Sequence, residues 1–296
     1  MKLTTMFGAL TMMAVTSAIF VAPGCTVTMD DAAKSYASAL CASISKCLPG
    51  QAAGLGGQAT CESIYSPEME RVFALPDIDF GADQVQRCAD ILKSIGCDEL
   101  YSYVGTNPDC QFVGTRAEKE PCAAAVQCAS GYCRYTSADG CGVCAPRVAL
   151  GADCSADWLA CEPGTFCGSD GKCATIPVKE GDACMSGPCG LTLMCVDGKC
   201  AASEGAACTG LLDCNLTNGY VCDDATMTCK QATFADVGEA CGDDQLHSCT
   251  IAGNCEGKKC VARSEVGEDC NGNVLCARDL ECVDNKCAER TYPTCD

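Results

Sequence analysis

The chain changes its hydrophobic rhythm twice. Residues 3–22 are an almost unbroken apolar run behind Met1 and Lys2; residues 32–112 carry apolar positions at helical spacing; from residue 113 onward the apolar residues thin out beside regularly placed cysteines. In the second stretch Tyr36, Leu40, Ile44 and Cys47 recur at intervals of four, four and three. This lines one face of a helix, with Asp30 or Asp31 near its start and Pro49-Gly50 beyond its end. A second stripe of Val85, Cys88, Ala89 and Leu92 predicts a helix over 83–95, stopped by Gly96. A further helix is expected from Gln58 or Ala59 towards Tyr65. Thr26–Asp31 reads as a tether, Ala52–Gln58 as a loop, and Pro76 and Gly81 as the bounds of a turn.

The third stretch repeats. GADC ends at Cys154, GDAC at Cys184, GAAC at Cys208, GEAC at Cys241 and GEDC at Cys270, and three more cysteines follow each. The quartets are Cys154, Cys161, Cys167, Cys173; Cys184, Cys189, Cys195, Cys200; Cys208, Cys214, Cys222, Cys229; Cys241, Cys249, Cys255, Cys260; and Cys270, Cys276, Cys282, Cys287. An earlier copy starts at Cys122 with Cys128 and Cys133, but Glu120 and Pro121 replace the usual opening and both Cys141 and Cys144 follow. First cysteines lie 32, 30, 24, 33 and 29 residues apart, the period of an array of small supersecondary units.

Within a copy the third and fourth cysteines flank a turn. Cys195-Val-Asp-Gly-Lys-Cys200 places Asp197-Gly198 at the tip of a two-residue hairpin loop, with Val196 facing Lys199 and Cys195 facing Cys200. Asp284-Asn285 repeats this between Cys282 and Cys287, whereas the segments ending at Cys173 and Cys260 read as looser versions. Apolar Phe166, Met194, Val221 and Leu280, just ahead of third cysteines, are placed to cover the disulfides. Each copy is expected to be a β-hairpin stapled to the preceding loop, first cysteine to third and second to fourth. The glycine opening each copy, Gly151 to Gly267, gives the linker a tight or left-handed turn.

Composition turns this pattern into a class. Thirty-residue units cannot bury enough apolar surface to offset chain entropy, so 33 cysteines stand in for a core. Such density belongs to an oxidising compartment. The predicted fold is therefore small and disulfide-rich: a short α-helical domain over 32–112, with Cys41, Cys47, Cys61, Cys88, Cys97 and Cys110, then about six β-hairpin repeats over 113–296. One cysteine of the first copy, which holds both Cys141 and Cys144, and Cys295 of the last copy exceed the quartets. They can join only if the array doubles back, and a bridge from Cys110 or the helical domain to the first copy is the expected alternative.

A net charge of −19 without clustered Lys or Arg argues against nucleic-acid binding and against adhesion to anionic lipid by charge. Catalysis finds little to use. His247 is the single histidine, Cys141-Gly-Val-Cys144 lacks the βαβ surroundings of the thioredoxin-type motif it resembles, and one CxxC does not make a zinc site. Asp223-Asp224 and Asp243-Asp244 lack the spacing of a calcium loop. Neither enzyme activity nor a cofactor is expected. Trp158 and Leu159 read as an exposed contact pair or, more ordinarily, as cover for their own disulfide, and Asn215-Leu-Thr217 fits a glycosylation sequon.

The N-terminus reads as a signal peptide over 1–24 rather than a membrane span. Its end, Val21-Ala-Pro-Gly-Cys25, resembles a bacterial lipoprotein box, although Ala22 stands where Leu is usual and Pro23 where a small residue is. That resemblance implies lipidation of Cys25, a tether over 25–31, and a membrane-anchored lipoprotein of the cell envelope, at the outer membrane or cell surface. Parity agrees, because removing Cys25 from 33 cysteines leaves an even number. The GxxC openings, Cys128-Ala-Ser-Gly-Tyr-Cys133 and Val-Asp-Gly-Lys-Cys200 are similar to the cysteine-rich modules called Dickkopf N-terminal-type, which implies an extracellular binding or scaffold role. The expected function is thus binding, adhesion or structure at the envelope, with a protein or polysaccharide partner and an array held away from the membrane. A secreted protease-inhibitor or toxin-like array is the alternative.

Overall fold

The structure is a computed structural model that describes residues 27–295 apart from 98–99, 101–105, 136–139, 169, 178, 185–188, 191–192, 211–212, 243–245, 272–274 and 278–279. The apolar leader, Cys25 and Asp243-Asp244 lie outside the described residues.

Four helices form the first unit. Helix α1 (Met29–Cys47) begins inside the expected tether, because Thr28 caps it: Thr28 Oγ1 accepts the Asp31 N–H at 3.2 Å, and Asp30 and Asp31 occupy the positive end of the helix dipole. Helix α2 (Pro49–Gly54) replaces the first part of the loop expected over Ala52–Gln58. Pro49 preorganises its first turn, and Ala52 and Leu55 are buried against Ile44 and Leu48. The chain turns instead at Gly56-Gly57, both at positive φ.

Helix α3 (Gly57–Phe73) continues past Tyr65 and through Pro67. An interior proline costs about 3 kcal/mol. Burying the terminal aromatic residue returns about 1.5–3 kcal/mol. Phe73 is that residue: it packs edge-on against Tyr36, Phe80 and Phe112, with centroids 5.8, 5.5 and 5.1 Å away. The Cys41–Cys61 disulfide also ties α3 to α1. Helix α4 (Ala82–Ser94) buries the expected stripe of Val85, Cys88, Ala89 and Leu92. It ends at extended, buried Ile95 rather than by a left-handed Gly96. Side chains of α1 satisfy its last carbonyls: Ser43 Oγ donates to Leu92 O at 2.8 Å and Lys46 Nζ to Ile95 O at 3.1 Å.

Antiparallel hairpins recur along the rest of the chain. The first copy is a three-stranded sheet of β1 (Pro121–Cys122), β3 (Gly142–Cys144) and β2 (Cys133–Tyr135), in that order. Then come β4 (Thr165–Cys167) with β5 (Cys173–Thr175), β6 (Leu193–Val196) with β7 (Lys199–Ala202), and β8 (Tyr220–Asp223) with β9 (Thr228–Gln231). A short parallel pair, β10 (Thr233–Ala235) with β11 (His247–Cys249), precedes β12 (Gly253–Glu256) with β13 (Lys259–Ala262), and β14 (Leu280–Val283) with β15 (Lys286–Glu289) closes the series. Third and fourth cysteines face each other in every hairpin: Cys133 and Cys144, Cys167 and Cys173, Cys195 and Cys200, Cys222 and Cys229, Cys255 and Cys260, Cys282 and Cys287.

The turn at Gly257-Lys258 is not looser than the others. Its two residues have φ of 56° and 66°, as Asp197-Gly198 and Asp284-Asn285 have 50° and 77°, and 51° and 62°. All three share the two-residue, doubly left-handed geometry that matches strand twist.

A third short segment completes each copy. The opening glycine is left-handed in all five GxxC copies, with φ between 72° and 96°. Its N–H then donates to the carbonyl of that copy's fourth cysteine, as Gly151 does to Cys173, Gly181 to Cys200, Gly205 to Cys229, Gly238 to Cys260 and Gly267 to Cys287. The first copy is not an exception. Lys119 takes the glycine's place at φ 74°, and its N–H donates to Cys144 O at 2.8 Å. Three residues before this position the linker pairs in parallel with the second cysteine in four copies: Arg116 with Cys128, Val148 with Cys161, Ala235 with Cys249 and Ser264 with Cys276.

The array does double back. The fourth cysteine copy (Cys208–Cys229) and the strand after it lie on α2, where a Cβ on Gly50 would come within 1.9 Å of Asn218 O, and one on Gly54 within 3.2 Å of the Phe234 ring. Ile251 N–H donates to Gly54 O at 2.8 Å. At the C-terminus Tyr292 Oη donates to Glu68 of α3 at 2.6 Å, and Cys295 is bonded to Cys141. The array is therefore folded onto the helical unit rather than held out from it.

The backbone rule yields a stability prediction. An L-residue pays about 1–2 kcal/mol in the left-handed region, partly offset when glycine loosens the unfolded chain. Lys119→Gly should stabilise the oxidised protein by roughly 0.5–1 kcal/mol. Gly238→Ala, which meets nothing within 4 Å and so isolates the backbone effect, should destabilise it by about 1 kcal/mol. Denaturant unfolding without reductant reads both.

Candidate functional site

The chemistry-bearing residues of this chain are overwhelmingly its cysteines, so the site is built from their pairing. In the helical unit Cys41 bonds Cys61, Cys47 bonds Cys97 and Cys88 bonds Cys110. Cys110 thus stays within the helices, contrary to the expected bridge into the array. In units 2 to 6 the first cysteine bonds the third and the second bonds the fourth, from Cys154–Cys167 and Cys161–Cys173 to Cys270–Cys282 and Cys276–Cys287. Unit 1 follows the same rule once Cys144 is its fourth member, with Cys122–Cys133 and Cys128–Cys144. Sequence spacing left Cys141 and Cys144 equivalent. The strand register Cys133 opposite Cys144 separates them.

This pairing removes two kinds of chemistry from the described cysteines. Cys141 and Cys144 belong to different disulfides, so the CxxC segment is not a redox couple. Five of the repeats, those opening at Cys122, Cys154, Cys184, Cys208 and Cys241, bring three sulfurs within 4.8 Å of one another, but these are disulfide sulfurs, whereas a metal needs thiolates.

Other candidates also have local employment. Asp223 Oδ1 accepts from Ala225 N at 3.0 Å, while Oδ2 accepts from Thr226 Oγ1 at 2.7 Å and Lys230 Nζ at 2.5 Å. Its carboxyl is held down to about 2, by the Lys230 hydrogen bond first and then by Thr226 and Ala225. Those oxygens brace the fourth hairpin. Asn215 of the sequon uses Oδ1 to accept from Asn218 N at 3.1 Å and Nδ2 to donate to Leu193 O at 3.1 Å, joining units 3 and 4. His247 is exposed at the start of β11.

Trp158 does not cover its disulfide. It is 72% exposed and Leu159 is 54% exposed, while Val148 packs against Cys154, Cys161 and Cys173 in its place. The linker's parallel pairing with Cys161 brings Val148 there, a long-range contact invisible in the local sequence. Met194 departs from expectation similarly, packing on Cys208 and Cys214 of the next unit.

Three recesses mark the seams between units. One of about 460 Å³ lies beside Cys295, lined by Asp77, Arg116 and Glu120; one of about 290 Å³ lies where α2 meets Leu216, Phe234 and Ile251. The largest of the three, about 560 Å³, lies between the helical unit and units 1 and 2. Beside it, Tyr132 Oη donates to Asp157 at 2.7 Å and the Arg147 guanidinium lies 4.8 Å from the Tyr132 ring centroid. Burial, then the Asp157 hydrogen bond, pushes the Tyr132 hydroxyl up to about 12. At the C-terminal latch, burial raises the Glu68 carboxyl, but hydrogen bonds from Tyr292 and Arg71 and the charges of Arg71 and Arg290 outweigh it and hold it below the ordinary value.

No protein-family model, curated protein or solved structure matches this chain.

Asp223 gives a pH prediction with a definite sign. Its folded value of about 2 is below the ordinary 3.8, so its contribution is complete above the ordinary value and is lost as pH falls towards about 2. Asp223→Asn should lower stability at neutral pH and flatten the acid limb in that window, measured by denaturant unfolding from pH 7 downward.

Proposed function

We propose that this protein is a non-enzymatic lipoprotein of the cell envelope, anchored through Cys25, which presents a disulfide-stapled array for binding, adhesion or scaffolding. The observation that carries the reading is the pairing itself. All 32 of the other cysteines, from a total of 33, bond among themselves in sixteen bridges, so Cys25 has no partner left in the chain.

Sixteen disulfides suit an exported protein in an oxidising compartment. No described helix is long and apolar enough to cross a membrane. A thiol-derived lipid anchor supplies membrane attachment without such a helix, and more than one acyl chain makes it stable. With α1 starting at Met29, a lipid on Cys25 would hold the helical unit close to the bilayer. The likeness to Dickkopf N-terminal-type modules adds an extracellular binding role and nothing about a particular partner. Exposed Trp158 and Leu159 supply apolar contact area on unit 2.

Cys25→Ser tests the anchor. The wild-type chain should fractionate with membranes and carry the mass of added acyl chains. The variant should be released into the soluble fraction with all sixteen bridges intact. Persistent membrane association of the variant would overturn the reading.

A further inference from the structure

The 560 Å³ recess between the helical unit and units 1 and 2 has the makings of a ligand site. One wall is apolar, built from Phe112, Val113, Val126 and Pro163, and Arg147 reaches it from the linker between the two array units. Arg147 carries five N–H donors on a permanently charged group. Its Nη1 donates to Leu159 O at 3.4 Å and Cys161 O at 3.2 Å, and its Nη2 to Gly131 O at 2.7 Å. Nε is buried and has no partner. Among the described residues no carboxylate forms an ion pair with Arg147, and Asp157 is engaged by Tyr132 instead. Glu162 also lines the recess, with its residue exposed.

A half-buried cation whose hydrogen bonds go only to carbonyls, and whose charge otherwise rests on an aromatic ring, retains a demand for an anion. Burial lowers the Arg147 proton affinity, which is the sign of an under-compensated charge. The apolar wall favours a hydrocarbon or aromatic body. Glu162 and the chain's net charge of −19 oppose every negative charge a ligand brings, so a ligand with one is favoured over a ligand with several.

We propose that this recess binds a small apolar monocarboxylate, its hydrocarbon body against Phe112, Val113 and Val126 and its carboxylate directed to Arg147. The site is independent of the lipid anchor. Its ligand class covers a free acid and the C-terminal carboxylate of an apolar peptide, which share the same chemistry.

The test is titration calorimetry of the intact, oxidised chain with 4-phenylbutyrate, its amide 4-phenylbutanamide, and a short peptide ending in a free phenylalanine carboxylate. The carboxylate should bind saturably and about tenfold more tightly than the amide, the factor that one charge-assisted hydrogen bond supplies. Peptide binding with competition against phenylbutyrate would assign the peptide source, and its failure would assign the free acid. Because Arg147→Met removes a clamp between units and can unfold them, exposed Glu162→Gln provides the second arm, with binding of phenylbutyrate strengthened severalfold. Equal affinity for acid and amide, no saturable binding, or no gain from Glu162→Gln would overturn the proposal.

Discussion

The constraint on which this structure depends is the absence of a core large enough to hold a thirty-residue unit together. Sulfur takes the core's place. Five of the six array units bury a cluster of their own cysteines with a few apolar neighbours, as Cys270 and Cys287 do with Leu280. The two crossed bridges of a unit close segments of 11 to 16 residues. A closure of about 15 residues restricts the unfolded chain by about 3 kcal/mol. The helical unit adds a conventional interior, where the Tyr36, Phe73, Phe80 and Phe112 rings pack against one another.

From that constraint follows the placement of the linkers. A hairpin of four-residue strands is too short to stand alone, so each borrows a third segment from the chain ahead of it. The left-handed opening residue aims this segment across the second strand, and the donor it presents meets the fourth cysteine's carbonyl. The same linker pairs with the second cysteine in four copies. One backbone path thereby serves as connector and as part of two packing surfaces. Trp158, between the first and second cysteines of its copy, stands outside this path and is exposed.

The local parts of this arrangement were legible in the sequence. Spacing located α1 and α4 and the facing of Cys195 with Cys200, because each depends on residues close along the chain; it left the bridges open, and the one-to-three, two-to-four pairing expected of each copy is the one formed. What escaped depended on distant partners. Helix α2 forms where a glycine-rich loop was expected because Ala52 and Leu55 find a core. Lys119 hides a GxxC-like opening because its backbone, not its residue type, carries the likeness. Trp158 points outward because Val148, brought by the linker, already covers the sulfurs. The recess beside Arg147 is made of three sequence-distant segments and has no signature in any one of them.

Closure of the array onto the helices is the feature that converts a string of units into one body. Tyr292 on Glu68, Phe234 on Gly54 and Ile251 on Gly54 hold it without covalent help, and Cys141–Cys295 locks it across 154 residues. That bridge belongs to no unit and is the one exception to the repeating rule in the array. Proteolysis of the unreduced protein followed by mass spectrometry of the linked peptides tests it most directly. A peptide pair joining Cys141 to Cys295, with Cys88 joined to Cys110, is the predicted result. Cys141 joined to Cys144, or Cys110 joined to the first unit, would contradict it.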